Sequence, residues 1–225
     1  PHIVVGGLNT GQVCMWDIEA AQQLHDSRRG KADKEKSGNN AVKPVAWSLF
    51  SNIEASHTQP VSDVQWLSKG FKYDAKGRVE ENNEERQLQF VSASPDGLLI
   101  VWDCSYADDP AVVEKRNEDA LAYDCHWTPL WKTALRSSGS GPLAIERLRW
   151  GPALNWCCSS QEGEVARGEG LPYNAPTKTI SLHHGGAVMV VEASPFLEGI
   201  YLTVGEWTFH VWKEGVAQPL YSSPY

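Results

Sequence analysis

Three short β-rich phrases recur along this chain and end alike: "TGQVCMWDI" closes at Trp16-Asp17, "PDGLLIVWDC" at Trp102-Asp103, and "GEWTFHVWKEG" at Trp212, with Lys213 in the place of the Asp. A unit repeated along a chain implies an architecture whose copies bury one another, because no single copy can bury its own apolar face. Each phrase follows an apolar run, "HIVVGG", "FVSAS" or "IYLTVG", the pattern of a strand entering a tight hairpin. The chain therefore predicts an all-β fold, a partial WD-repeat β-propeller of about four blades from a ring that commonly holds seven.

The phrases share a register. Asp96 stands six residues before Trp102, Glu206 six before Trp212, and Thr10 holds that place before Trp16. A His precedes an apolar stretch upstream in two units, His57 before "VSDVQWL" and the pair His183-His184 before "VMVVEASPF". A weaker copy, "LAIERLRWGP" followed by "LNWCCSSQEGEVARGE", carries Glu162-Gly163 in its turn but Gly168 where the Trp belongs. The closing positions 16, 102, 168 and 212 are unevenly spaced, and only the last interval matches the roughly 40 to 45 residues of a WD-type blade.

Inserted residues account for the surplus. The segments 25–40 and 69–88 are rich in charge and poor in apolar residues, which predicts solvated, mobile surface loops without a core of their own; docking on a neighbouring subunit is the alternative. The organisation expected is a blade end at 1–24, the loop 25–40, a blade at 41–104 interrupted by 69–88, a degenerate blade at 120–170, and a blade at 176–225.

His57, Ser92 or Ser94, and Asp96 have the residue types of a serine-hydrolase triad. The propeller offers a structural reading of the same trio: turn acid, loop His, strand hydroxyl and the indole N–H of Trp102 form one buried hydrogen-bonded chain that satisfies each member. The last unit repeats the set with His183 or His184, Thr203, Trp212 and Glu206. Trp16, Asp17 and Asp103 close strands in the same manner. No phosphate-cradling "GxxxxGK[ST]", "GxGxxG", "HExxH" or "GxSxG" occurs, so the chain offers no catalytic, cofactor-binding or metal-binding residue.

The remaining bounds are consistent with this reading. A net charge of -8 without a basic cluster argues against a nucleic-acid partner. No run approaches the ~20 apolar residues of a membrane span. Five Cys at irregular positions fit reduced thiols in the cytoplasm rather than a disulfide scaffold.

The phrases "VVGGLNTGQVCMWDI", "SHTQPVSDVQWLSKGF", "FVSASPDGLLIVWD", "LRWGP", "SSQEGEVARGE" and "HHGGAVMVVEASPFLEGIYLTVGEWTFHVWKEG" resemble the WD-repeat region of axonemal dynein intermediate chains, most nearly the inner-arm (dynein f) type. The likeness runs from Pro1 to about Leu220. It implies a non-catalytic subunit of a ciliary or flagellar motor whose propeller holds the dynein heavy-chain tail. Pairing with another intermediate chain and with light chains would lie in regions this chain lacks. It also implies residence in the cytoplasm and cytoskeleton, at the axoneme. A generic WD scaffold recognising a peptide partner is the alternative. Trp207, a large indole in a hairpin turn, is a candidate partner contact, against packing on the adjacent blade. The chain begins inside a blade, and an array with open sheet faces is expected to aggregate when isolated.

Overall fold

A computed structural model describes residues 2–19, 49–108, 127–150, 155–171, 178–180, 184–213 and 215–224. The expected loop 25–40 and His183 lie outside these. Four antiparallel sheets follow one another along the chain. The first contains β1 (Ile3–Gly7), β2 (Val13–Asp17) and β3 (Leu49–Phe50). The second takes β4 (Asp63–Trp66), skips the separate hairpin β5 (Phe71–Tyr73) and β6 (Val79–Glu81), and continues through β7 (Gln89–Ala93), β8 (Leu98–Asp103) and β9 (Trp131–Ala134). The third is β10 (Ile145–Trp150), β11 (Asn155–Ser160), β12 (Val165–Glu169) and β13 (Lys178–Ile180); the fourth is β14 (Val190–Ala193), β15 (Ile200–Val204), β16 (Phe209–Lys213) and β17 (Tyr221–Ser222).

Strand alternation distributes the core between neighbouring sheets. Phe90, Ile100 and Trp102 pack with Val13, Met15 and Leu49 of the first sheet. Their alternates Val91, Leu99 and Val101 pack with Ile145, Leu148 and Trp156 of the third. Val191, Tyr201 and Trp212 meet Cys157 and Val165 across the last interface. Each inner sheet is thus apolar on both faces, as stacked propeller blades require. β10 lies beside β4 on one flank and β14 on the other, so the first strands of successive sheets adjoin.

Two expectations are corrected here. In the first and second sheets the outer strand follows the closing Trp, outside the blade limits expected from the sequence. β9 pairs with the Trp102 strand through Val101↔Trp131, although 120–170 reads as the next blade, and β17 likewise follows Trp212. β3 belongs with Trp16 through Met15↔Leu49, not with the blade at 41–104, and β13 belongs with the third sheet.

The second correction concerns 69–88, which contains the regular hairpin β5–β6 instead of an irregular loop. Charges occupy its solvent side while Tyr73 is buried in the core and Phe71 packs against it. The Gln89 carboxamide acts as a strand surrogate: Tyr73 N–H donates to its Oε1 at 2.7 Å and its Nε2 donates to the Tyr73 carbonyl at 3.0 Å. Gly77, at φ +73°, lies on the Trp131 indole, where an added Cβ would be 2.3 Å from the ring.

Candidate functional site

The second sheet assembles the predicted polar chain. β7 and β8 run antiparallel with Phe90 opposite Trp102, so Ser92, two residues along, faces the same way as the indole. Trp102 Nε1 donates to Ser92 Oγ at 2.8 Å, and Ser92 Oγ lies 2.8 Å from His57 Nε2. His57 Nδ1 is 3.1 and 3.2 Å from the two Asp96 oxygens. Asp96 also accepts the backbone N–H groups of Thr58 at 2.9 Å and Leu98 at 3.0 Å. One tautomer satisfies every atom: the neutral ring with Nδ1–H donates to Asp96, and its bare Nε2 accepts the Ser92 hydroxyl hydrogen. Burial opposes the Asp96 charge, but the hydrogen bond from His57 and the two backbone donors together hold the carboxyl below the usual range. Ser94 stands outside this chain: its hydroxyl donates to the Gln59 carbonyl at 3.2 Å and accepts the Asp96 N–H.

Ser92 has no exposed surface, and its oxygen already accepts the indole N–H. This arrangement fixes how two strands and a loop meet; it presents no nucleophile to solvent.

In the fourth sheet, of the adjacent pair, His184 joins the chain. Trp212 Nε1 donates to Thr203 Oγ1 at 2.7 Å, and His184 Nε2 lies 2.9 Å from the same oxygen. Glu206 is not the turn partner, contrary to expectation; it is exposed, and Thr208 Oγ1 sits 3.1 Å from His184 Nδ1 instead. Turn length is the cause. In the second sheet Ala93↔Leu99 is the last pair and leaves residues 94–98 between its members, whereas Val204↔Phe209 leaves only 205–208. One residue fewer carries Glu206 past the imidazole. Gly205 lies beneath that ring, where a Cβ would meet Nδ1 at 2.4 Å.

The other two sheets lack the chain for different reasons. In the first, Val4 pairs with Trp16, which puts Gly6 at the place Ser92 takes; no hydroxyl is available, and the half-buried Trp16 ring covers the Gly6 backbone. Thr10, at the turn position, donates to Gln12 Oε1 at 3.0 Å. Asp17 is half-buried at the end of β2. Asp103 accepts from Gln89 Nε2 and the Ser105 N–H, while its carbonyl accepts Trp127 Nε1 at 3.0 Å. In the third sheet the indole has changed strands. Trp156 pairs with Gly168, and a Cβ on Gly168 would lie 2.4 Å from the Trp156 ring. Its Nε1 donates to the Gly170 carbonyl at 2.6 Å, and buried Cys158 takes the Ser92 place. The signal for this was present as "NWCC" facing "VARGE", yet only the pairing register reveals it.

A bridge across three sheets also escaped the sequence reading. Arg149 on β10 donates through Nη1 to Asp63 on β4 at 3.0 Å and through Nη2 to Glu192 on β14 at 3.0 Å. Asp63 Oδ2 further accepts the Leu148 N–H at 3.0 Å, and Ser62 Oγ donates to the Ile145 carbonyl at 2.7 Å.

Burial pushes the Cys14 thiol up to about 11 and Cys157 up to about 12, and raises Cys104 and Cys158 further, so all four stay protonated. No group of three or more His, Cys, Asp or Glu among the described residues could hold a metal ion. Trp207 projects from the 205–208 turn with 79% of its surface exposed.

Comparison with known proteins gives a consistent result. A family model described as the dynein axonemal intermediate chain 3 WD40 domain matches residues 1–136 and 161–224. The chain is 25% identical to dynein axonemal intermediate chain 3 of Macaca fascicularis, over 96% of this chain and 33% of the relative. It is 24% identical to the Danio rerio protein of the same description, over 100% and 30%. Cytoplasmic dynein 2 intermediate chain 2 of Homo sapiens shares 26% identity over 99% and 38%. The chain thus spans about a third of the length of these relatives. A chain in the crystal structure of the mitotic checkpoint complex superposes with a TM-score of 0.57 at 15% identity, over 99% of this chain and 47% of the other, a likeness of fold alone.

Proposed function

The chain belongs to the WD40-domain family of dynein axonemal intermediate chain 3, and from that premise we propose that it serves a ciliary or flagellar dynein complex as a non-catalytic intermediate chain. Its propeller binds the heavy-chain tail, contributing assembly and anchoring rather than chemistry. Its place is the cytoskeleton of the axoneme, in the inner-arm (dynein f) complex, with another intermediate chain and light chains engaged through other parts of the protein. The observation that carries this reading is the family match over both ends of the chain.

The geometry supports a holding role. The His57–Asp96 and His184–Thr208 chains spend their polar groups inside the blades, and Arg149 ties three sheets together. Rigid blades then carry loops at a fixed spacing, which is what a broad protein interface needs. Trp207 is a partner contact on the rim formed by the hairpin turns.

The test is affinity purification of the full-length protein from a salt extract of axonemes. Axonemal dynein heavy chain is the expected co-purifying protein. Recovery of soluble peptide-bearing partners alone would replace this reading with that of a general WD adaptor.

A further inference from the structure

The link from β9 to β10, residues 135–144, is a small hairpin laid across two blade turns. At its base the Leu135 N–H donates to the Gly97 carbonyl at 2.7 Å, and the Leu143 N–H donates to the Leu135 carbonyl at 3.0 Å. At its tip, residues 136–141, the Ser137 N–H donates to the Gly141 carbonyl at 2.9 Å and the Ser140 N–H to the Ser137 carbonyl at 3.1 Å. Ser140 sits at φ +71°, a left-handed conformation that an L side chain keeps only under restraint. Among the described hydrogen bonds, those from Ser138 alone tie this tip to the third sheet. The Ser138 N–H donates to Glu164 Oε1 at 3.0 Å, and its hydroxyl donates to the same oxygen. Glu164, 2% exposed between β11 and β12, has its other oxygen buried without a partner. The second sheet secures its corresponding loop more heavily, since Asp96 accepts from His57 and from the N–H groups of Thr58 and Leu98.

We infer that Ser138 is a phosphorylation site for a protein serine kinase using magnesium ATP, and that its phosphate shifts the hairpin tip from Glu164 to Arg136. Ser138 is exposed, and Gly139 and Gly141 beside it carry no side chain to block approach. Exposed Arg136, two residues ahead, offers the cation that charge-reading kinases recognise. Its guanidinium makes one described hydrogen bond, from Nη1 to the Ser140 carbonyl at 3.3 Å. In the transfer, the Ser138 Oγ–P bond forms as the bond from the γ-phosphorus to its bridging oxygen breaks. ADP leaves with that oxygen, and the hydroxyl proton passes to the kinase's base. The resulting ester has no hydrogen to donate to Glu164, and it brings a charge of about −1.5 to −2 against a buried carboxylate. The tie of the tip to the third sheet is then replaced by repulsion. Arg136 becomes the favourable partner, because guanidinium–phosphate pairs form strong charge-assisted hydrogen bonds. Once released, Ser140 can leave its left-handed conformation, so the stored backbone strain favours the lifted tip.

The experiment recovers the full-length protein from the cells that express it, lysed with phosphatase inhibitors present, and maps its peptides by mass spectrometry. Phosphate on Ser138 is the expected result; an unmodified Ser138, or phosphate confined to Ser137 or Ser140, overturns the site. Amide hydrogen exchange then compares the phosphorylated protein with a phosphatase-treated portion. The amides of Ser137, Ser138 and Ser140 should exchange at least about tenfold faster in the phosphorylated form, as a local opening does, with those of β10 and β11 unchanged. Ser138→Asp, which removes the hydroxyl and adds a carboxylate, should reproduce part of the acceleration. Equal exchange in both forms overturns the release of the tip. The phosphorus-31 signal of the folded protein should titrate at lower pH than that of the urea-unfolded protein, because Arg136 favours the dianion. A higher midpoint would leave the phosphate facing Glu164 and overturn the transfer to Arg136.

Discussion

Replacing Ser92 by Ala tests the buried polar chain at its most economical point, because one oxygen serves two partners. Its removal orphans Trp102 Nε1–H and His57 Nε2, both now 2.8 Å from Ser92 Oγ in a site closed to solvent. An unsatisfied buried polar group costs about 1–3 kcal/mol, so the pair sets an expected loss of about 2–6 kcal/mol. That is a large share of the roughly 5–15 kcal/mol of a folded domain. Urea unfolding of the full-length protein, followed by far-ultraviolet circular dichroism, reads the change as a shift in midpoint at constant slope. Ser92→Thr keeps the hydroxyl and should lose only about 1 kcal/mol to the added methyl. Trp102→Phe removes the donor instead, and the double variant with Ser92→Ala should be less destabilised than the two single losses combined, since the indole then no longer needs an acceptor. A Ser92→Ala loss within about 0.5 kcal/mol, the range of an ordinary surface change, would refute the argument that this oxygen holds the blade together.

Three further outcomes follow from the geometry. The Asp96 carboxyl titrates lower in the folded protein than unfolded, so its stabilising contribution is fully present above the unfolded value near ~4 and is lost as pH falls through the folded value; Asp96→Asn should flatten that acid limb of a stability–pH curve, and an unchanged limb would count against the His57 pairing. Gly168→Ala drives a methyl into the Trp156 indole at 2.4 Å and should cost about 1–3 kcal/mol; adding Trp156→Leu should recover part of it in a thermal melt, whereas an unstrained single variant would contradict the strand-swapped indole. Arg149→Leu removes the charged partner of Asp63, which keeps only its backbone N–H donors, and should lower stability by about 1–3 kcal/mol, while Glu192→Gln, on the half-exposed side of the bridge, should cost under about 1 kcal/mol; equal losses in chemical denaturation would show the bridge to be set up differently.

Periodicity made much of the fold legible. Alternating apolar runs ending in Trp16, Trp102 and Trp212 identify paired strands, and the turn between 94 and 98 with its Asp96-Gly97 is a local matter of backbone conformation. His57, Ser92, Asp96 and Trp102 could be named as one chain because a conventional hairpin length fixes their mutual register. Glu206 was misplaced for the converse reason: a turn shorter by one residue shifts its side chain along the strand, and residue spacing to Trp212 does not count turn residues separately from paired ones.

By itself the sequence determined which residues alternate, where the hairpins turn, and which polar side chains require a buried partner, since these depend on neighbours within a few positions. The tertiary structure alone decided which sheet each strand joins, that Trp156 fills the space opposite Gly168, that β5–β6 folds onto Trp131, and that Arg149 reaches both Asp63 and Glu192. Those contacts join residues up to 86 positions apart. Their partners are chosen by the stacking of whole sheets, and a period of two along one strand carries no information about the strand that will lie across from it.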